Sequence, residues 1–141
     1  MFRIHGNLGT IIRTADATGL SQILVMNNSV DVYNPKVIRS TMGAIFRVRV
    51  IELDSIDILK KEGFCIVATS LQGDSSIYDL SFSKCAVIMG NEANGVSKAL
   101  LDSADMKVKI PMLGKAESLN VSVATSVVMY EYVRKQILKN S

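Results

Sequence analysis

Only two cysteines and one histidine occur among the 141 residues. Cys65 and Cys85 each sit inside an apolar run, CIVATSL and CAVIMG, where a free thiol acts as a small hydrophobe. A disulfide framework or a cysteine-rich metal site needs more cysteines or a different spacing. His5 has no second histidine or cysteine nearby with which to share an ion, so no metal site is expected. Also missing is any apolar stretch of the roughly 20 residues that a membrane-spanning helix requires. The opening MFRIHGNLG lacks the zones of a secretory signal, and a soluble, cytoplasmic protein with no membrane partner is expected. No repeat, linker or low-complexity segment interrupts the chain. A Gly-x-Gly-x-x-Gly turn after an early strand is absent, and so is the acidic residue that would follow it in a Rossmann-type dehydrogenase.

What is present is enough apolar material, 48% of residues, to enclose one substantial core, so a single compact domain is expected. The net charge of +3 permits a polyanionic partner without demanding one. Its placement is more informative. Arg3, Arg13, Lys36, Arg39, Arg47 and Arg49 crowd the first third, with Asp16 and Asp31 the few acids among them. Such a basic segment suits phosphate contacts, and a plain solvated face suits it equally.

Along the chain, Asn7 can cap a helix running to about Thr18, with Ile11, Ile12 and Ala15 apolar and Gly19 placed for a left-handed stop. Gln22 to Asn27 reads as a buried strand and NPKVIRSTMG as a helix opened by Pro35. AIFRVRVIEL reads as a strand with Phe46, Val48 and Val50 on one face and Arg47 and Arg49 on the other. Then come a short helix ended at Gly63, the strand FCIVATSL, an irregular stretch QGDSSIYDLSFSK and the strand CAVIM. A helix near SKALLDSA, the strand MKVKIPM and a long helix from about Asn120 to Leu138 complete the pattern. In that helix Val121, Ala124, Thr125, Val128, Tyr132 and Ile137 recur at helical spacing. Alternating strands and helices predict an α/β fold with a mostly parallel sheet.

Chemistry concentrates in three segments. NLGTIIRTADATG holds Asn7 and Arg13, which a bend at Gly9 would bring to the same side; a capped amphipathic helix with a solvated arginine explains the same residues. In GNEANGVS, Gly90 and Gly95 flank Glu92, and such glycines let main chain approach a ligand or simply make a turn. In ESLNVSVATS, Ser118 and Asn120 precede a long helix, where both also suit capping. The runs CAVIMGNEANGVS and KIPMLGKAESLNVSVATS each empty a strand into a polar loop, so the two loops are expected side by side at one sheet edge, where α/β proteins hold ligands.

Taken together and in order, these segments resemble the SpoU-type, or TrmH-like, RNA ribose 2′-O-methyltransferases of the SPOUT superfamily. NLGTIIRTADATG is similar to that family's first motif, IMGNEANGVS to its second and IPMLGKAESLNVSVATSVVMYE to its third, and the likeness covers nearly all of residues 7 to 138. It implies a catalytic domain whose C-terminal segment forms a deep trefoil knot, an exception to the unknotted rule. It implies S-adenosylmethionine as cofactor, bound bent in the knot, with Gly90, Ile110 and Leu119 supplying main chain around adenine and ribose. Asn91 and Glu92 stand beside them, and Met89 and Leu113 complete the implied cofactor set.

The implied reaction is in-line attack of a ribose 2′-hydroxyl on the sulfonium methyl, without a metal. By resemblance Arg13 is the catalytic arginine, and Asn7, Glu92, Ser118 and Asn120 hold it and the ribose in place. A guanidinium, with a pKa above about 12, is too weak an acid to lose its proton and serve easily as a base, so electrostatic stabilisation of the incoming oxygen is favoured. The resemblance also implies an RNA partner, transfer or ribosomal, and a homodimer with shared sites. Met129, Tyr130 and Val133 are candidates for its interface, and plain core is the alternative. Relatives usually carry a complete strand before the first motif. Here MFRIHG precedes Asn7, so that strand is expected to be missing or reduced to Phe2 to Ile4, with no separate RNA-binding domain. A weakly active or inactive RNA- or cofactor-binding module therefore stands as the alternative function. A SPOUT base methyltransferase is the nearer competitor within the superfamily.

Overall fold

A computed structural model describes residues 4–26, 35–90 and 96–140, with side chains from residue 8 onward in the first stretch. The chain forms two compact units, Phe2–Ile56 and Asp57–Ser141.

The first unit contains helices α1 (Ile4–Ala17) and α2 (Pro35–Ser40) and strands β1 (Gln22–Met26) and β2 (Arg49–Leu53). Leu8, Ile11, Ile12 and Ala15 recur at three- and four-residue spacing and are all buried, so α1 turns one stripe inward. A Cβ on Gly9 would lie 2.6 Å from Ser40 Cβ, so the missing side chain is what lets α1 and α2 approach. Gly19 stops the helix at φ +77°, as expected, and Leu20 N–H reaches back to Ala15 O at 2.9 Å. β1 and β2 pair in parallel, Gln22 opposite Arg49 and Met26 opposite Leu53.

The second unit contains α3 (Asp57–Lys61), β3 (Cys65–Thr69), β4 (Ser75–Ser76), β5 (Cys85–Ile88), α4 (Lys98–Ser103), β6 (Met106–Lys109) and α5 (Val121–Lys139). Its strands lie in the order β4-β6-β3-β5, every pair parallel. The central strand is β3, whose Ile66, Val67 and Ala68 are wholly buried, which is why its sequence is continuously apolar rather than alternating. Asp105 pins this strand from the loop before β6: its carboxylate accepts from Ile66 N–H, and its own N–H donates to Ile66 O, both at 2.8 Å. Val67, Ile77, Leu80, Val108 and Val128 form the core cluster. Each such aliphatic burial contributes about 1.5–3 kcal/mol.

Several expectations change. The parallel strands of the described residues form two sheets, not one. Asn7 lies inside α1 rather than at its cap, Ile4 is helical rather than the end of a strand, and Phe2 falls outside the described residues. α1 runs unbroken through Gly9, so no bend forms there. β1 is half-buried along most of its length, and Asn27 lies outside the described residues. AIFRVRVIEL does not begin as a strand: Ala44–Phe46 is a 3₁₀ turn and pairing starts at Arg49. The stretch taken as irregular supplies the short strand β4. On α5, Val121, Thr125 and Val128 are buried as expected, but Ile137 is 64% exposed.

Candidate cofactor and substrate site

In the second unit, parallel pairing sends the C-terminal ends of β3, β5 and β6 to the same end of the sheet. The loops after β5 and β6 therefore open at one edge as expected, with one correction: β3 lies between them, so they are not immediate neighbours. Met89 and Ile110, each just past its strand, are half-buried and pack against the same core cluster. Gly90 is half-buried beside Met89, and Leu119 is half-buried ahead of α5. Leu113 is 99% exposed and touches almost nothing. Asn91 and Glu92 lie outside the described residues.

The third loop at this edge was not anticipated. β3 runs out through Thr69 and Ser70 into a turn ending at Gly73. Thr69 Oγ1 donates to Ile88 O at 2.9 Å, and Ser70 N–H donates to Val108 O at 2.8 Å, so this loop is tied to both flanking strands. Gly73 is buried so tightly that a Cβ there would lie 2.6 Å from the Val108 carbonyl carbon. The available signal was the pattern seen in the other two segments, an apolar strand emptying into a loop with glycine.

Ser118 is exposed, and Asn120 caps α5, its Oδ1 accepting from Ser122 N–H at 2.8 Å and from Ser122 Oγ at 2.6 Å. The capping role considered for Asn120 is thus real, and it fixes the carboxamide at the mouth of the helix. α5 carries Val127 and Val128 onto the core that holds Met89 and Ile110, which relates its N-terminus to the strand ends.

In the first unit Arg13 is exposed on α1 and makes no hydrogen bond or ion pair among the described residues. One turn on, Asp16 is engaged by Arg47, whose Nε lies 2.9 and 3.0 Å from the two carboxylate oxygens and whose Nη2 lies 2.7 Å from Oδ2. The Arg47 hydrogen bonds hold the Asp16 carboxyl below its ordinary value and raise the guanidinium's own. Both Asp16 oxygens are thus engaged by Arg47 in a bidentate fork, three residues along the helix from Arg13. The side chain of Asn7 lies outside the described residues. Burial, with a lesser contribution from Cys65, pushes the Cys85 thiol up, in keeping with a packing role. No group of three or more histidine, cysteine or carboxylate side chains suited to a metal is found among the described residues.

The description SpoU rRNA Methylase family matches residues 2–130, across both units. The chain belongs to this SpoU family. It is 40% identical over 129 residues to the 23S rRNA (guanosine(2553)-2′-O)-methyltransferase RlmP of Bacillus subtilis, covering 89% of the chain and 52% of the relative. The SpoU methyltransferase AviRb of Streptomyces viridochromogenes, solved with the cofactor AdoMet, superimposes with a TM-score of 0.85 at 34% identity, over 96% of this chain and 55% of that one. A TrmH/SpoU tRNA modifying enzyme of A. aeolicus gives 0.86 at 31% identity over 99% and 73%. The SpoU chain described here thus spans about half the length of the curated relatives it matches.

Proposed function

We propose that this SpoU chain transfers the methyl group of S-adenosylmethionine to a ribose 2′-hydroxyl of ribosomal or transfer RNA. The observation that carries the reading is the likeness to a SpoU methyltransferase solved with AdoMet, at a TM-score of 0.85 over 96% of the chain. The residues present fit that donor. Adenine needs a hydrogen-bond donor and an acceptor along its edge, and three strand ends converging at one sheet edge offer peptide groups without charged side chains. Gly90, Ile110 and Leu119 would give main-chain contacts, Met89, Asn91 and Leu113 would border them, and the Thr69–Gly73 loop, tied to Ile88 and Val108, would close the wall between. When bound, the cofactor supplies a sulfonium methyl with an already activated leaving group, and no metal is required.

The role of the protein is then to favour oxygen attack. Negative charge builds on the 2′-oxygen as its proton leaves, and an uncommitted guanidinium stabilises it. Arg13 suits this role because it is exposed and makes no hydrogen bond or ion pair among the described residues. Asn7, Glu92, Ser118 and Asn120 would position the ribose and the arginine. A knotted C-terminal segment and a homodimer in which the arginine of one protomer serves the pocket of the other complete the proposal, in a cytoplasmic protein. The exposed apolar line Val123, Tyr130 and Ile137, each seven residues apart on α5, supports a helical interface. Met129, first considered for that face, is buried instead and belongs to the core. No helix among the described residues is long and apolar enough to cross a membrane.

The test is transfer of labelled methyl from S-adenosylmethionine to bulk RNA, with cofactor uptake followed by calorimetry. Uptake and transfer are expected. Uptake without transfer to any RNA favours the binding-module alternative, and no uptake overturns the methyl-transfer reading.

A further inference from the structure

Apart from Arg47, which engages Asp16, the surface between α2 and β2 takes no part in the chemistry above. Phe46 is 86% exposed and Met42 69% exposed, although the sequence pattern placed Phe46 inward. This exposure is not looseness. Ala44 and Val48 on either side are buried, and the N–H groups of Arg47 and Val48 both donate to Ala44 O at 2.9 Å. Met42 and Gly43 take successive left-handed conformations, φ 54° and 88°, which glycine tolerates and methionine does not readily adopt. A rigid turn thus holds an aromatic ring and a thioether out into solvent.

The charge around them has one sign. Lys36, Arg39, Arg47 and Arg49 are exposed, and residues 35–51 contain no aspartate or glutamate. Asp16 pairs with Arg47, whereas Arg39 and Arg49 make no ion pair among the described residues. An exposed ring set among unpaired guanidinium groups is the arrangement that binds single-stranded nucleic acid: bases stack on the ring and cations follow the phosphates.

We propose that the segment Arg39 to Arg49 docks a single-stranded part of the RNA substrate, with a base stacked on Phe46 beside Met42 and phosphates held by Arg39 and Arg49. The inference rests on the RNA-methylating reading, but its first test does not. The sequence has no tryptophan and four tyrosines, so Phe46→Trp introduces a single tryptophan at the site, which can be excited selectively. Its emission is expected to be quenched saturably by oligoadenylate and not by an abasic strand of equal length. Equal emission with both, or a shift that follows protein concentration in the absence of RNA and so marks contact with a second copy, overturns the proposal. In the transfer assay, Phe46→Ala should raise the KM for RNA about tenfold, leave cofactor affinity and kcat unchanged, and be rescued by Phe46→Tyr. An unchanged KM contradicts the docking surface while leaving methyl transfer intact. A wild-type chain that neither takes up cofactor nor transfers methyl contradicts the methylation reading, whatever the quenching shows.

Discussion

Two arginines on the first unit do different work. Arg13 makes no hydrogen bond or ion pair among the described residues, while Arg47 is spent on Asp16. If Arg13 stabilises the developing oxyanion, Arg13→Ala should lose at least about 100-fold in kcat, the scale seen when a single such donor is removed. Cofactor affinity by calorimetry should be unchanged. Arg13→Lys should also be poor, because a compact ammonium does not reproduce the planar fork. The Asp16 carboxyl is held below its ordinary value by the Arg47 hydrogen bonds, so its contribution to stability is complete above the unfolded value, about 4. That contribution is lost as the pH falls through the lower, folded value. The stability gap between the unmutated chain and Asp16→Asn, followed by denaturant unfolding, should therefore be constant near neutrality and close only in acid.

The elements that carry the site are held by close contacts that substitutions can probe. Gly73→Val places a branched side chain against the backbone of Val108, where no rotamer relieves the overlap, and about 1–3 kcal/mol of stability should be lost in urea unfolding. Asn120→Ala removes the cap of α5 and should cost about 1 kcal/mol. Most of these elements were legible in the sequence, since strands β3 and β5 are short continuous apolar runs, β6 alternates apolar and lysine residues, and α2 and α5 open at Pro35 and just after Asn120. Legibility failed where a pattern had two explanations. Phe46, Val48 and Val50 alternate as a strand does, but Gly43 allows a left-handed step that diverts the first part into a 3₁₀ turn and turns Phe46 outward. Ile137 keeps helical spacing with the core yet is 64% exposed in the last turns of α5, and Glu131 is buried on that helix with Arg134 Nε bonded to it at 2.6 Å. The Thr69–Gly73 loop escaped notice because its meaning depends on β3 lying between β5 and β6, which is a matter of strand order that periodicity does not encode.

For the molecule as a whole, the proposed association through α5 and the proposed grip on RNA each have a solution signature. Sedimentation at micromolar concentration should give a dimer, and Tyr130→Glu combined with Ile137→Glu should give a monomer with little transfer activity. A monomer that is fully active would remove the shared site. RNA affinity should fall with salt with a log-log slope of about 0.7 per phosphate neutralised on single strands. The central claim concerns which atom receives the methyl group, and the chemistry of RNA reads it directly. Alkali cleaves RNA through the 2′-hydroxyl, so a methylated 2′-oxygen leaves its neighbouring linkage intact. After transfer from labelled S-adenosylmethionine and complete alkaline digestion, the label should appear in dinucleotides. Label in mononucleotides would mark a methylated base and contradict the account.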